Sequence, residues 1–341
     1  MPRAFVTGGT GFVGSHVIEC LVSKGWHVVA LARSVRLPSF INFPGVNWVP
    51  GDILASDVLK KAMTGCDALF HVAADYRLWA RNALEIYRNN VMGTRRVLSV
   101  ARELRIPRVV YTSSVGALGL RRDGRPADET TPVSYSDMIG HYKRSKFLAE
   151  RIAEEYARSG LDLVIVNPST PVGPRDHKPT PTGRVIVDFL NRRMPAYVNT
   201  GLNFVHVRDV ALGHLLAWEK GISGRKYILG NENLSFRDFL RILSEITGLP
   251  APKIRIPYLV ALTAGVACEI FSRLTGRPPS VPLEGVRMSR YLMFFSPERA
   301  VKELGLPLTP VRQAVKEAVW WYVKNGYCKT RLPISPGELL T

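Results

Sequence analysis

The stretch VTGGTGFVG, residues 6–14, runs from an apolar strand straight into a helix, with Gly8, Gly11 and Gly14 three apart. Each glycine has a use at that spacing. The first lets the chain turn tightly, the second lets backbone approach a diphosphate, and the third lets helix and strand pack closely, while N–H groups at the helix start meet the anion. A tight turn alone would explain a glycine triplet in another place. At the first strand-to-helix turn of the chain, the pattern predicts a dinucleotide site.

The flanking sequence extends that reading. AFVTG, HVVALAR, VNWVPGD, ALFHVAA, RVVYTSS and LDLVIVNP read as buried strands, rich in Val and Ile and separated by helical stretches. The alternation predicts parallel strands with right-handed crossovers, an α/β fold with a Rossmann-type doubly wound sheet. After Pro168 it loosens into NPSTPVGPRDHKPTPTG and mixed elements. Residues 1–167 are therefore expected to form the cofactor domain. Residues 168–341 are expected to form mainly a smaller substrate lobe, with some segments returning to the sheet, and the ligand to bind in the cleft between the two.

Of the 341 residues, 46% are hydrophobic and 22% charged, as in an ordinary folded protein. The 46 basic residues against 28 acidic ones give a formal net charge of +18, so the surface attracts anions: a phosphorylated cofactor, an anionic substrate or acidic lipid. The basic residues are scattered and no nucleic-acid motif occurs, which argues against nucleic acid. Cys20, Cys66, Cys268 and Cys328 lie far apart, with neither a CxxC pair nor a His at ligand spacing, so no disulfide framework or metal site is expected. MPRAFVTGG enters a strand at once, without room for a signal peptide, and a cytoplasmic location is expected. The apolar run YLVALTAGVACEIF from Tyr258 is interrupted by Glu269. It reads as too short to span a bilayer and better as a buried or interfacial helix, so peripheral membrane contact is retained as a reading.

A site for NAD usually carries an acid at the end of the second strand, bonded to the adenosine ribose. Here that strand ends LARSVR, and no acidic residue occurs between Glu19 and Asp52. Arg33 stands in the acid's place and Arg36 follows, so a 2′-phosphate suits the site and NADP(H) is expected ahead of NAD(H). Asp52, in PGDI, is read beside the adenine, or as a helix cap.

HYKRSK, residues 141–146, places Tyr142 four residues before Lys146, on one helical face. A phenol titrates near 10 when unperturbed, and a neighbouring ammonium with a cationic nicotinamide is expected to lower it. Tyr142 could then exchange a proton with a secondary alcohol or ketone while hydride moves to or from nicotinamide. Ser113 and Ser114 end the strand VVYTSS, on the side that faces the crevice of a parallel sheet. Ser114 is read as the group that holds the substrate oxygen against Tyr142.

TGGTGFVG, GDI, HVAA, NNVMGT, YTSS, YKRSK and NPSTPVGP, in that order, make the chain resemble an extended short-chain dehydrogenase/reductase of the NAD-dependent epimerase/dehydratase family. It is similar to the dihydroflavonol-4-reductase-like branch. Through HVAADYRLW, EIYRNNV and DETTPVSYSDMIGHYKRSKF it resembles the hopanoid-associated sugar epimerases. The resemblance implies a catalytic trio of Ser114, Tyr142 and Lys146. It implies Gly8, Gly11 and Gly14 under the diphosphate with Thr10, Phe12 and Val13 on the same turn, Arg33 at the adenosine end, and Asp52 and Ile53 flanking adenine. Val72, Ala73 and Ala74 would line the cofactor, Asn90 would hold a water or a helix carbonyl, Lys146 would bind the nicotinamide ribose, and Ser113, Pro168, Ser169 and Thr170 would complete the cofactor end of the cleft. It also implies a homodimer built on residues 82–104 and 142–158.

Substrate-side candidates are Asp75, Tyr76 and Trp79, and in the second lobe Arg175, His177, Lys178, Arg184, Tyr197 and His206. Tyr76 and Trp79 could equally pack, and His206 could be a satisfied core imidazole. The functional reading is an NAD(P)-dependent oxidoreductase or epimerase acting on a secondary alcohol or ketone of a sugar-like or polyol substrate, with a link to hopanoid lipid synthesis. The alternatives are an NADPH-dependent ketone reductase on a non-sugar substrate and a non-catalytic NADP-binding sensor.

Overall fold

The computed structural model describes residues 1–34 and 36–333. Seven strands form the central sheet: β1 (Arg3–Thr7), β2 (His27–Ala32), β3 (Val46–Pro50), β4 (Ala68–His71), β5 (Arg108–Thr112), β6 (Leu163–Pro168) and, far along the chain, β10 (Lys226–Leu229). Their order is β3-β2-β1-β4-β5-β6-β10, and every neighbouring pair is parallel. The order reverses between β1 and β4, which opens a crevice at the carboxyl ends of the strands.

Helices cover both faces because the strands are apolar on both faces. Ala4, Val6, Val28, Ala30, Phe70, Val110 and Val166 pack with α1 (Phe12–Ser23) and α7 (Val207–Lys220). The alternate residues Phe5, Val29, Leu31, Leu69, Val109, Tyr111 and Ile165 pack with α2 (Ser56–Met63), α4 (Gly93–Glu103) and α5 (Gly140–Arg158). A short α3 (Leu84–Tyr87) runs into α4 through a π-turn at Arg88–Met92.

The rest of the chain builds on the crevice side. β9 (Gly201–His206) pairs with β7 (Thr170–Val172), β11 (Glu232–Ser235) and β13 (Leu292–Met293), and β8 (Ala196–Val198) pairs with β12 (Ile254–Ile256). A separate core unites α6 (Pro181–Leu190), α8 (Phe236–Thr247) and α11 (Val311–Lys324), with Phe204 stacked on Phe239 at 4.4 Å. The apolar run from Tyr258 forms α9 (Tyr258–Thr275), followed by α10 (Leu283–Met288). At 18 residues α9 is longer than the run read from the sequence, and by length and composition alone it could cross a membrane.

Two histidines are sealed against this sheet, one on each face. His71 lies between Thr7 Oγ1 at 2.7 Å and Thr94 Oγ1 at 3.1 Å. His214 bonds to the Val210 carbonyl through Nδ1 and to Thr112 Oγ1 through Nε2. Burial lowers His71 to about 3, with the Lys146 charge adding to the effect, and lowers His214 to about 4 against its carbonyl bond. Between pH 6.5 and those values the unfolded chain takes up protons that the folded chain refuses, so stability is complete above about 6.5 and is lost as pH falls. Urea midpoints are expected to drop from pH 6.5 to 4, and the drop is expected to shrink in His214→Gln. An equal slope in the variant would remove His214 from that account.

Candidate active site

The glycine turn is shaped by contact. Gly8 has a left-handed φ of +75°, and a Cβ there would lie 2.6 Å from the Ala73 backbone nitrogen. A Cβ on Gly14 would strike the Gly8 carbonyl. Gly11 donates its N–H to Gly8 O at 2.9 Å and caps α1, which has neither a capping side chain nor an acidic residue in its first turn. The N–H groups of Phe12, Val13 and Gly14 are therefore left without intrahelical acceptors, beside the half-buried Thr10.

Arg33 is exposed immediately beyond β2. Asp52 accepts the Leu54 N–H at 2.9 Å, which closes its own turn, and Ile53 packs against Gly93 at the start of α4. Val72 is buried and Ala74 exposed. Pro168 ends β6 and Thr170 opens β7. The Ser113 and Ser169 hydroxyls, at the carboxyl ends of β5 and β6, are buried without a partner among the described residues. Two orphaned hydroxyls and a turn too close for any Cβ fit a nicotinamide dinucleotide lying along this edge.

Ser114 begins the short turn after β5, and its Oγ accepts the Gly116 N–H at 3.0 Å, leaving its O–H to donate. The Tyr142 ring lies on the same spot: a Cβ on Gly116 would be 3.2 Å from Ser114 Oγ and 3.8 Å from Tyr142 Cε1. Burial pushes the Tyr142 phenol above its ordinary value, and a hydrogen bond with Ser114 opposes the push. This differs from the lowering expected from Lys146, because the ammonium is turned to other acceptors. Lys146, 2% exposed, donates to Thr112 O at 2.8 Å and to Tyr111 Oη at 3.3 Å. Burial lowers it to about 8, with the Glu150 carboxylate opposing.

Glu150 continues the stripe of Tyr142 and Lys146 by one more helical turn. It is fully buried, accepts from Asn167 Nδ2 at 2.7 Å and pairs with Lys226 of β10 at 2.8 Å. Asn167 also donates to the Ser114 carbonyl at 3.0 Å, fixing the turn that carries the serine. Asn90, in the π-turn, donates to Asp75 O and to Ser145 Oγ, both at 2.9 Å, and accepts from Asp75 N at 2.7 Å. Ser145 in turn donates to the Tyr142 carbonyl at 2.7 Å. Asn90 thus braces α5 against the loop after β4 through a serine hydroxyl. Glu150, Asn167, Tyr111 and Ser145 were not singled out in the sequence, although the spacing of Glu150 from Lys146 would have revealed it.

The substrate-side candidates separate into two groups. Tyr76 donates its hydroxyl to Lys178 O at 3.2 Å, spanning the cleft, with Trp79 half-buried nearby in sequence and Lys178 and Arg184 exposed. Tyr197 is half-buried on β8. Asp75 is occupied by Arg77 at 2.7 Å and Asn89 at 3.1 Å; burial raises its carboxyl, but those bonds outweigh it and hold the group below its ordinary value. Arg175 reaches α1 instead, in a two-pronged pair with Glu19. The His177 ring lies 5.3 Å from Phe40, and its carbonyl accepts from Tyr327. His206, 2% exposed, caps α7 by accepting the Arg208 N–H at 3.0 Å and faces Glu317 at 3.4 Å. Arg175 is committed to α1, and His206 to the start of α7 and to α11.

A parallel sheet with a glycine turn at its first crossover, and a Ser, Tyr and Lys set across the crevice, defines a nicotinamide-dependent oxidoreductase fold. Residues 4–230 match the model of the NAD dependent epimerase/dehydratase family, and the chain belongs to that family, among the extended short-chain dehydrogenase/reductase enzymes. A Synechocystis sp. protein named as a provisional dihydroflavonol 4-reductase is 50% identical over 331 residues, 96% of each chain. Sterol demethylase protein B of Methylococcus capsulatus is 34% identical over 328 residues, 94% of this chain and 98% of that one. The crystal structure of gox2253 superposes with a TM-score of 0.86 at 46% identity, covering 96% of this chain and 100% of that one.

Two substitutions are expected to give opposite signatures. Tyr142→Phe should lower turnover about a thousandfold while cofactor affinity stays within a few-fold. Gly14→Ala should abolish cofactor binding, because its methyl group meets the Gly8 carbonyl. Fluorescence titration with the cofactor, beside turnover, separates them; loss of binding in Tyr142→Phe would contradict the assignment of the phenol to the chemical step.

Proposed function

We propose that the protein is an NADPH-dependent reductase that converts a ketone of a small-molecule substrate to a secondary alcohol. The observation that carries this reading is the Tyr142 phenol, placed beside Ser114 at the crevice end of β5, where burial opposes loss of its proton. A phenol in that state suits donation to a carbonyl oxygen. A nicotinamide held along the glycine turn would supply the hydride. Ser114 orients the carbonyl oxygen, Tyr142 passes it a proton as the carbonyl carbon gains hydride, and solvent returns the proton to the phenol. Lys146, whose ammonium is turned to Thr112 O and Tyr111 Oη, would hold the nicotinamide ribose. The exposed Arg33, in a stretch without a carboxylate, supports NADP(H) over NAD(H), and the reductase name of the Synechocystis relative supports net reduction.

The family model favours a second reading, an epimerase that keeps its cofactor and returns hydride to the opposite face of a sugar-like or polyol substrate. A place in hopanoid lipid synthesis and a homodimer through residues 82–104 and 142–158 rest on the resemblance, and a cytoplasmic location on the scattered cysteines.

Titration with NADPH and NADH tests the cofactor half. NADPH is expected to bind at least about tenfold more tightly, and Arg33→Asp to reverse the preference by loss of the phosphate contact. Ketone-dependent loss of nicotinamide absorbance tests the reduction. Tightly held, non-exchanging oxidised cofactor, with isomerised sugar and no net absorbance change, would sink the reductase reading in favour of the epimerase.

A further inference from the structure

Helix α9 is built inside out. Its buried positions are Ala261, Gly265 and Ser272, and a Cβ on Gly265 would lie 3.3 Å from Val286 of α10. The large apolar residues point away from the protein: Leu259 is 71% exposed, Ile270 56%, Phe271 62% and Leu274 81%. Leu259, Val266, Ile270 and Leu274 share one face at helical spacing, with Val260 and Phe271 on its flank. An ordinary surface helix shows the opposite pattern, and an exposed apolar patch of this kind marks a contact surface.

The rim is basic. Lys253, Arg255, Arg273, Arg277, Arg287 and Arg290 stand exposed around the helix, against Glu269 and Glu284 as the acidic residues of 251–292. Glu269 pairs with Arg273 at 3.2 Å, and Glu284 is turned inward to accept the His141 N–H at 2.9 Å. A symmetric contact between two copies would press like-charged rims together. The start of α9 follows the pairing of β12 with β8, and its inner side packs on α10 at Gly265, so the helix lies along the surface.

We propose that the outer face of α9 docks the protein on an anionic lipid bilayer, the apolar side chains entering the headgroup boundary and the arginine rim meeting lipid phosphate. The helix beneath the docked one reaches the candidate site: α10, packed on the inner side of α9, carries Glu284, which accepts the N–H of the residue before Tyr142, and Leu78, in the loop that carries Tyr76 and Trp79, lies against Gly285. A bilayer-soluble ketone would thus enter beside Tyr142 from the membrane side. This second statement rests on the reductase reading; the docking does not.

Flotation of the full chain with vesicles of phosphatidylcholine, alone or mixed with phosphatidylglycerol, tests the docking. Binding is expected to be at least about tenfold tighter to the mixed vesicles and to weaken with salt. The Leu259→Ser, Ile270→Ser, Leu274→Ser triple variant is expected to lose it while keeping its circular dichroism spectrum and NADPH affinity. No binding to either vesicle, or equal binding by the variant, would overturn the proposal. So would a concentration-dependent dimer that the same variant dissolves without any vesicle binding, which would assign the face to a second copy. Vesicle binding without ketone reduction would leave the docking standing and defeat only the chemical reading.

Discussion

The site is organised around a buried ammonium. Lys146 has almost no contact with solvent, and removing such a charge from water costs several kcal/mol unless it is paired and hydrogen-bonded. Compensation comes in a row of alternating sign. Lys146 is followed one turn later by Glu150, and Glu150 meets Lys226, which also reaches Glu154 at 2.7 Å. The depression of Lys146 to about 8 shows that the compensation is partial. Because the four charges come from one helix and the last strand of the sheet, α5 cannot slide or rotate without exposing one of them. Tyr142, on the same stripe, inherits that fixed position.

A second polar path reaches the ammonium from the cofactor side. The Ala73 N–H donates to Thr7 Oγ1 at 3.2 Å, Thr7 bonds His71, and His71 bonds Thr94. Thr94 hydrogen-bonds Tyr111, whose hydroxyl accepts from Lys146. Each member is buried and neutral except the last. The strand beneath the glycine turn and the Lys146 turn of α5 are therefore joined through side chains rather than through packing alone, which keeps the glycine turn and the Tyr142 phenol in a fixed relation.

Much of this was legible in the sequence wherever the signal is local. The glycine turn needs three residues of one helix start, and the Tyr142 to Lys146 spacing is one helical turn, so both could be read without a partner. The strands were legible because both faces of the sheet are covered, which makes them continuous apolar runs. Arg175 and His206 were harder to place, since their roles are set by Glu19 and Glu317, more than a hundred residues away in each case. The direction of the Tyr142 shift depended on where the Lys146 ammonium points, and the carbonyl that draws it away belongs to β5. In α9 the composition was plain, but only packing could show that its small residues face inward.

The position of β10 has a consequence for how the protein is made. While synthesis has reached only residue 168, β6 is an open edge of apolar backbone, and Glu150 has no Lys226 to meet. Such an edge invites pairing with a stranger. The catalytic half leaves the ribosome unfinished, and some sixty further residues must emerge before its own sheet can close. Fixing of α5 is thereby deferred until β10 and its Lys226 have been made.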